Sequence, residues 1–138
     1  MPSVPFTILD ETRPLTVTAT VDGDAVRLAP PVLEAALGWS VKPEGLCRGA
    51  VCVPTRSRPD LVTAEGVDLA GAAALLGRPL ALDVEAGAAA LGASAAERAR
   101  RLASLEAPDF TLADLDGRIH SLADHRGKKV LLLAYASW

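Results

Sequence analysis

Aromatic side chains are scarce in this 138-residue chain: two Phe, two Trp and one Tyr make up 4% of it. A core with so few rings has to be assembled from Leu, Val and Ala, which bury less area each. Basic charge is also short, with 14 Lys and Arg against 17 Asp and Glu for a net charge of −3. That balance excludes a general nucleic-acid binder, which carries a basic footprint. No apolar run approaches the roughly 18 residues needed to span a bilayer, so no membrane span is expected. The first residues, Met1-Pro2-Ser3-Val4-Pro5, show no basic start ahead of an apolar stretch, so no secretory signal is read there and the expected location is cytoplasmic. There is no Walker loop, Rossmann glycine fingerprint, Gly-x-Ser-x-Gly elbow or metalloprotease helix, and no cofactor is expected. Half of the residues are nonetheless hydrophobic, which suits a globular fold.

Cysteine is limited to Cys47 and Cys52, in Leu46-Cys47-Arg48-Gly49-Ala50-Val51-Cys52. Two thiols with no His nearby are too few for a zinc site, and no metal is expected. If residues 48–51 form a four-residue loop, the cysteines face each other and can bond. If Arg48-Gly49 is the two-residue turn, they lie diagonally, which is less favourable. The default in a reducing compartment is a pair of free thiols. Against it stands the reading of Cys47 and Cys52 as a candidate redox pair, with Arg48 lowering the pKa of its neighbour. His120 and His125 are five residues apart and do not share a helical face, so they read as solvated side chains. Arg98, Arg100 and Arg101, offset by Glu97 and Glu106, read as a solvated helix face.

Two parts are expected, giving an α+β fold: residues 1–104 and residues 105–138. In the first, Leu15, Val17, Ala19 and Val21 alternate with three threonines, the period-two mark of a half-buried strand. Asp22-Gly23-Asp24 turns this strand into another ending at Leu28. Pro30-Pro31 then opens a helix closed by Gly38, and a hairpin runs over about 39–53. A similar order recurs: Val67-Asp68-Leu69-Ala70 leads to Leu75-Leu76-Gly77, then strands at about 80–84 and 88–91 follow. This two-fold internal repeat of a strand–helix–hairpin unit is similar to the duplicated units of copper amine oxidase N-terminal-like domains, and the resemblance implies a noncatalytic accessory domain. Ser94-Ala95-Ala96-Glu97 is a capping-box pattern for a helix reaching about Ser104.

The second part carries Ala107-Pro108-Asp109-Phe110-Thr111-Leu112, then Asp116-Gly117, Ser121-Leu122 and Gly127-Lys128-Lys129-Val130-Leu131-Leu132-Leu133, ending Tyr135-Ala136-Ser137-Trp138. Asp116-Gly117 is a hairpin-turn dipeptide. Ser121 to Asp124 caps a helical turn stopped by Gly127. The continuous apolar run 130–134 reads as a strand buried on both faces. The order and spacing of these motifs resemble the first strands of a thioredoxin-like domain of the redoxin/TlpA type. The resemblance implies that the chain is a fragment ending one residue before a Cys-x-x-Cys, so that no catalytic residue lies within it and Trp138 neighbours the active site. It implies a thiol–disulfide oxidoreductase as the parent protein, acting on a protein disulfide or a small thiol substrate, while this chain alone is inactive. A noncatalytic binding or accessory module is the alternative, and a peroxiredoxin-like thiol peroxidase the second. The run 130–134 is further expected to leave the isolated chain disordered after about residue 105 or self-associating.

Overall fold

A computed structural model describes residues 2–11 and 13–136. The chain is mixed α+β and divides into two compact units, residues 1–100 and 101–138. The first is built on strands β1 (Ser3–Asp10), β2 (Arg13–Asp22) and β3 (Ala25–Leu28), helix α1 (Pro30–Leu37), and the short strands β4 (Ser40–Lys42), β5 (Gly45–Arg48) and β6 (Val51–Val53). After a 3-10 turn at Pro59–Leu61 come β7 (Val62–Thr63), β8 (Gly66–Asp68), helix α2 (Leu69–Leu75), β9 (Leu80–Asp83) and β10 (Ala88–Leu91). Helix α3 (Ala95–Ala103) carries the chain out of this unit.

Seven of these strands form one sheet in the order β7-β8-β3-β2-β1-β10-β9, and β4-β5-β6 form a separate three-stranded sheet. The alternation read at 15–21 falls within β2, paired antiparallel with β1 and β3. Residues directly opposite in a ladder share a face. Phe6 opposite Val17, Ile8 opposite Leu15 and Leu28 opposite Val67 therefore line one side. There they join Leu33 and Leu37 of α1 and Leu69 and Ala72 of α2 in the core. Among the described residues Phe6 and Trp39 are the only aromatic members; aliphatic side chains supply the rest. The other side of the sheet carries Thr7, Leu9, Thr16, Thr18, Ala88 and Ala90, and neither α1 nor α2 covers it.

The helices start and stop where local chemistry directs. Pro30 opens α1, and Gly38, at φ 71°, closes it by returning its N–H to the Glu34 carbonyl. Asp68 caps α2 by accepting from the Gly71 N–H at 2.7 Å. At its end the Arg78 N–H returns to the Ala73 carbonyl at 2.8 Å. The Ser94–Glu97 box is present, Ser94 Oγ accepting from the Glu97 N–H and Glu97 Oε2 from the Ser94 N–H, each at 3.1 Å.

The order strand–helix–hairpin occurs in β3-α1-β4-β5 and again in β8-α2-β9-β10, but the two hairpins end differently. The second joins the large sheet through a parallel ladder between β10 and β1, while the first belongs to the small sheet. The segment at about 39–53 is a three-strand meander with a tight turn at Gly49-Ala50, not a simple hairpin.

The second unit holds β11 (Thr111–Ala113) paired antiparallel with β12 (Ile119–Ser121), followed by a 3-10 turn at Leu122–His125. Gly117, at φ 77°, closes the hairpin. This hairpin and turn correct the expectation of disorder from about residue 105, whereas residues 130–136 have no regular secondary structure and Leu131 is 91% exposed. A strand forms only against a neighbour offering free peptide groups in register, and none of the described segments is placed to supply them. Among the described residues no helix is long and apolar enough to cross a membrane.

Candidate functional site

Cys47 lies on β5 and Cys52 on β6, directly opposite each other in the ladder, with Cα atoms 4.1 Å apart and the two sulfurs joined in a disulfide. The pairing follows from the turn. Arg48 faces Val51, leaving Gly49 and Ala50 as a two-residue loop. Gly49 takes φ 60° and Ala50 an ordinary negative φ, the sign pattern of a II′ turn, whose twist suits an antiparallel pair. With 48 opposite 51, register arithmetic puts 47 opposite 52. The free-thiol reading is thereby corrected: the register sets Cys47 opposite Cys52 and the two sulfurs are bonded.

The environment of the two sulfurs is unequal. β5 is the central strand of its sheet, flanked by β4 and β6, and Cys47 is 1% exposed. β6 is an edge strand, and Cys52 on it is exposed. Ser40 Oγ donates to the Cys47 carbonyl at 3.2 Å, fixing β5 from its other side. Arg48 does not serve Cys47 as expected. Adjacent strand residues point to opposite faces, and the Arg48 guanidinium sits 4.8 Å from the centre of the Trp39 ring and 3.7 Å from Glu97. Its charge is committed to a cation–π contact and an ion pair. Glu97 thus has two duties, capping α3 and binding Arg48. The Ser94 N–H above all, aided by its hydroxyl and by Arg48 and Arg78, holds the Glu97 carboxyl below its ordinary range against some burial. No sequence signal pointed to this link, because Trp39, Arg48 and Glu97 share no local pattern.

In the second unit the Asp109 read within the Ala-Pro-Asp-Phe motif acts as a fastener. Its carboxylate accepts from the Ala123 N–H at 2.9 Å, from the Phe110 N–H at 3.0 Å and from Ser121 Oγ at 3.0 Å. Partial desolvation opposes ionisation there, but those hydrogen bonds and Arg126 outweigh it, and the carboxyl lies below its ordinary range. Asp114 is lowered too, first by His120 Nε2 at 2.8 Å and then by the Arg118 N–H. Both shifts have the sign of stability that is present above the unfolded Asp value and lost as pH falls through the lowered one. An NMR titration should therefore show the Ala123 and Arg118 amides keeping their folded shifts down to below about pH 3.9. A midpoint at or above that value would mean these carboxylates hold nothing together. Asp109→Ala should weaken Ala123 protection at every pH, leaving this N–H the longer bond to Ser121 Oγ at 3.3 Å.

His120 is therefore a hairpin residue bound to Asp114, and His125 sits at the end of the 3-10 turn. Arg98 and Arg100 lie on exposed positions of α3. Among the described residues no group of three His, Cys, Asp or Glu side chains could hold a metal ion. Trp138, the expected neighbour of an active site, lies outside the described residues.

No protein-family profile matches the chain, and no solved structure matches it. A 32-residue segment is 56% identical to part of the thiol–disulfide oxidoreductase ResA of Geobacillus thermodenitrificans (strain NG80-2). The match takes in 23% of this chain and spans 18% of the length of that relative.

Proposed function

We propose that residues 105–138 are the first strands of a thioredoxin-like domain, and that the parent protein is a thiol–disulfide oxidoreductase of the redoxin/TlpA type. The observation that carries this reading is the 56% identity to ResA over 32 residues. In the proposed enzyme a Cys-x-x-Cys follows Trp138: one thiolate attacks a disulfide of a protein or small-molecule substrate, and the second cysteine resolves the mixed disulfide. Residues 1–104 are its accessory domain, built on a duplicated unit. A cytoplasmic location agrees with a Cys47–Cys52 disulfide only if that bond is a working one, because idle disulfides do not persist among reduced thiols.

The test is to read the codons after Trp138 in the source DNA, then to assay the extended protein for dithiol-dependent reduction of a disulfide substrate. A Cys-x-x-Cys and measurable turnover support the enzyme. A stop codon, or a sequence without the cysteine pair, ends it. The noncatalytic alternative draws on a different observation, the uncovered side of the large sheet. A shallow apolar groove of about 460 Å³ lies there, lined by Thr7, Leu9, Pro14, Ala81, Ala88 and Ala90 among others.

A further inference from the structure

We propose that the Cys47–Cys52 disulfide is itself a thiol–disulfide exchange site, at which the thiolate of a protein dithiol attacks Sγ of Cys52 and releases Cys47. Only the choice of a dithiol protein as partner rests on the reading above; the exchange site stands on the hairpin's own geometry.

The fold has little use for the bond. A disulfide stabilises most when it closes a long loop in the unfolded chain, and this one joins residues five apart. The hairpin already sets Cys47 opposite Cys52 through its turn, and β4 holds β5 from the other side. Leu46, on β5, is fully buried in the core, and Val41 and Val53 pack against that core. These contacts anchor the small sheet whether or not the sulfurs are joined. A reduced pair would stay in place, ready to be oxidised again.

Access to the two sulfurs is unequal. Thiol–disulfide exchange needs the attacking sulfur to approach one sulfur of the bond in line, from the side away from the other. Cys47 is shut in at 1% exposure, whereas Cys52 is exposed on an edge strand. The outer side of β6 has no partner strand among the described residues. An extended segment carrying a thiol can therefore reach Cys52, with Val51, 60% exposed, offering apolar contact beside it.

The steps balance. The partner thiolate bonds to Cys52 Sγ, the Cys52–Cys47 bond breaks, and Cys47 leaves with the electron pair. A buried thiolate is disfavoured, so Cys47 takes up a proton and is slow to attack in return. The partner's second thiol, as thiolate, then attacks the partner's own sulfur in the mixed disulfide and releases Cys52. Two electrons pass to the pair, the protons of the partner's two thiols are made up on Cys47 and Cys52, and the partner leaves as a disulfide.

The test uses the full chain in its oxidised form, with reduced glutathione as the monothiol probe, an acid quench and peptide mapping by mass spectrometry. Glutathione should be found on Cys52 in about tenfold or greater excess over Cys47. Dithiothreitol should reduce the pair without denaturant, leaving the amide protection of Leu46 and Val67 unchanged. In reduced single variants, Cys52 in Cys47→Ser should react with a chromogenic aryl disulfide about tenfold or more faster than Cys47 in Cys52→Ser. Glutathione on Cys47, equal rates in the two variants, or reduction only in denaturant each overturns the proposal. Loss of protection on reduction does so as well, by making the bond a staple. Codons after Trp138 that lack a Cys-x-x-Cys would defeat the parent-enzyme reading and leave every one of these readouts unchanged.

Discussion

Arg78→Met is expected to lower the stability of the first unit by about 3 kcal/mol, at the low end of what unpairing a buried ion costs, in urea denaturation followed by circular dichroism. The Arg78 side chain is only 7% exposed. Its guanidinium holds Asp10 Oδ1 at the end of β1, the Gly92 carbonyl at 2.8 Å and the Leu91 carbonyl at 3.3 Å. β1 and β10 run parallel, so their ends reach the same edge of the sheet together, and one planar fork ties them there. Methionine keeps the bulk but takes the donor from the Gly92 carbonyl and the close cation from Asp10, while the Leu91 carbonyl keeps the Glu11 N–H at 2.9 Å. Arg13, 3.9 Å from Asp10, can answer part of the loss, which keeps the figure at the low end. Lysine should not rescue, since an ammonium cannot span all three acceptors. A loss below about 1 kcal/mol, typical of an exposed ion pair, would mean the fork is ornamental to the fold.

Gly66→Ala is expected to cost about 3 kcal/mol or more, from strain and overpacking together. Gly66 opens β8 at φ 122°, a conformation that side chains rarely adopt. A Cβ there would stand 2.6 Å from the Leu28 carbonyl oxygen, on a neighbouring strand that cannot retreat without opening the core. Gly45 opens β5 in the same way, at φ 136°, with the Val53 carbonyl oxygen 2.1 Å from the added carbon. Both follow a glutamate, in Pro43-Glu44-Gly45 and Ala64-Glu65-Gly66. Gly45→Ala should push β6 away from β5 and lower the yield of the Cys47–Cys52 bond, read by thiol titration. Gly23→Ala is the control: its φ is positive, but nothing lies within 4 Å, so about 1 kcal/mol is expected. If Gly66 and Gly23 cost the same, close approach of backbone is not what selects glycine at 66.

The elements that could be read from sequence are those written in local chemistry. Thr and Val alternation gave β2, Pro30 and Gly38 bounded α1, and Ser94 with Glu97 started α3. β1 had no place in the sequence reading, although Val4, Phe6 and Ile8 alternate; Pro2 and Pro5 weaken that signal, since proline is disfavoured inside a sheet. Pro5 is tolerated because β10 pairs only from Thr7 onward, so the missing N–H falls where no ladder bond is made. The apolar run 130–134 forms no strand among the described residues, because hydrophobicity says that a segment favours burial, not that a partner is at hand. The facing of Cys47 and Cys52 hinged on placing the turn one residue later, at Gly49-Ala50 rather than Arg48-Gly49. The contacts of Arg48 with Trp39 and Glu97, and of Arg78 with Asp10, join positions far apart in sequence and left no trace in composition or spacing.

The parallel ladder between β1 and β10 also sets a timetable. Thr7 to Asp10 must wait for residues 88 to 91 before their second neighbour exists, so the first strand made is among the last to be enclosed. A nascent chain released or stalled after β8 would expose the inner edge of β1, next to Phe6 and Ile8. Contacts this remote in sequence slow folding and prolong the interval in which such an edge can pair wrongly. The chain is therefore most in need of a holdase during synthesis of its first ninety or so residues, and truncations that remove β10 should aggregate more than truncations that stop just after it.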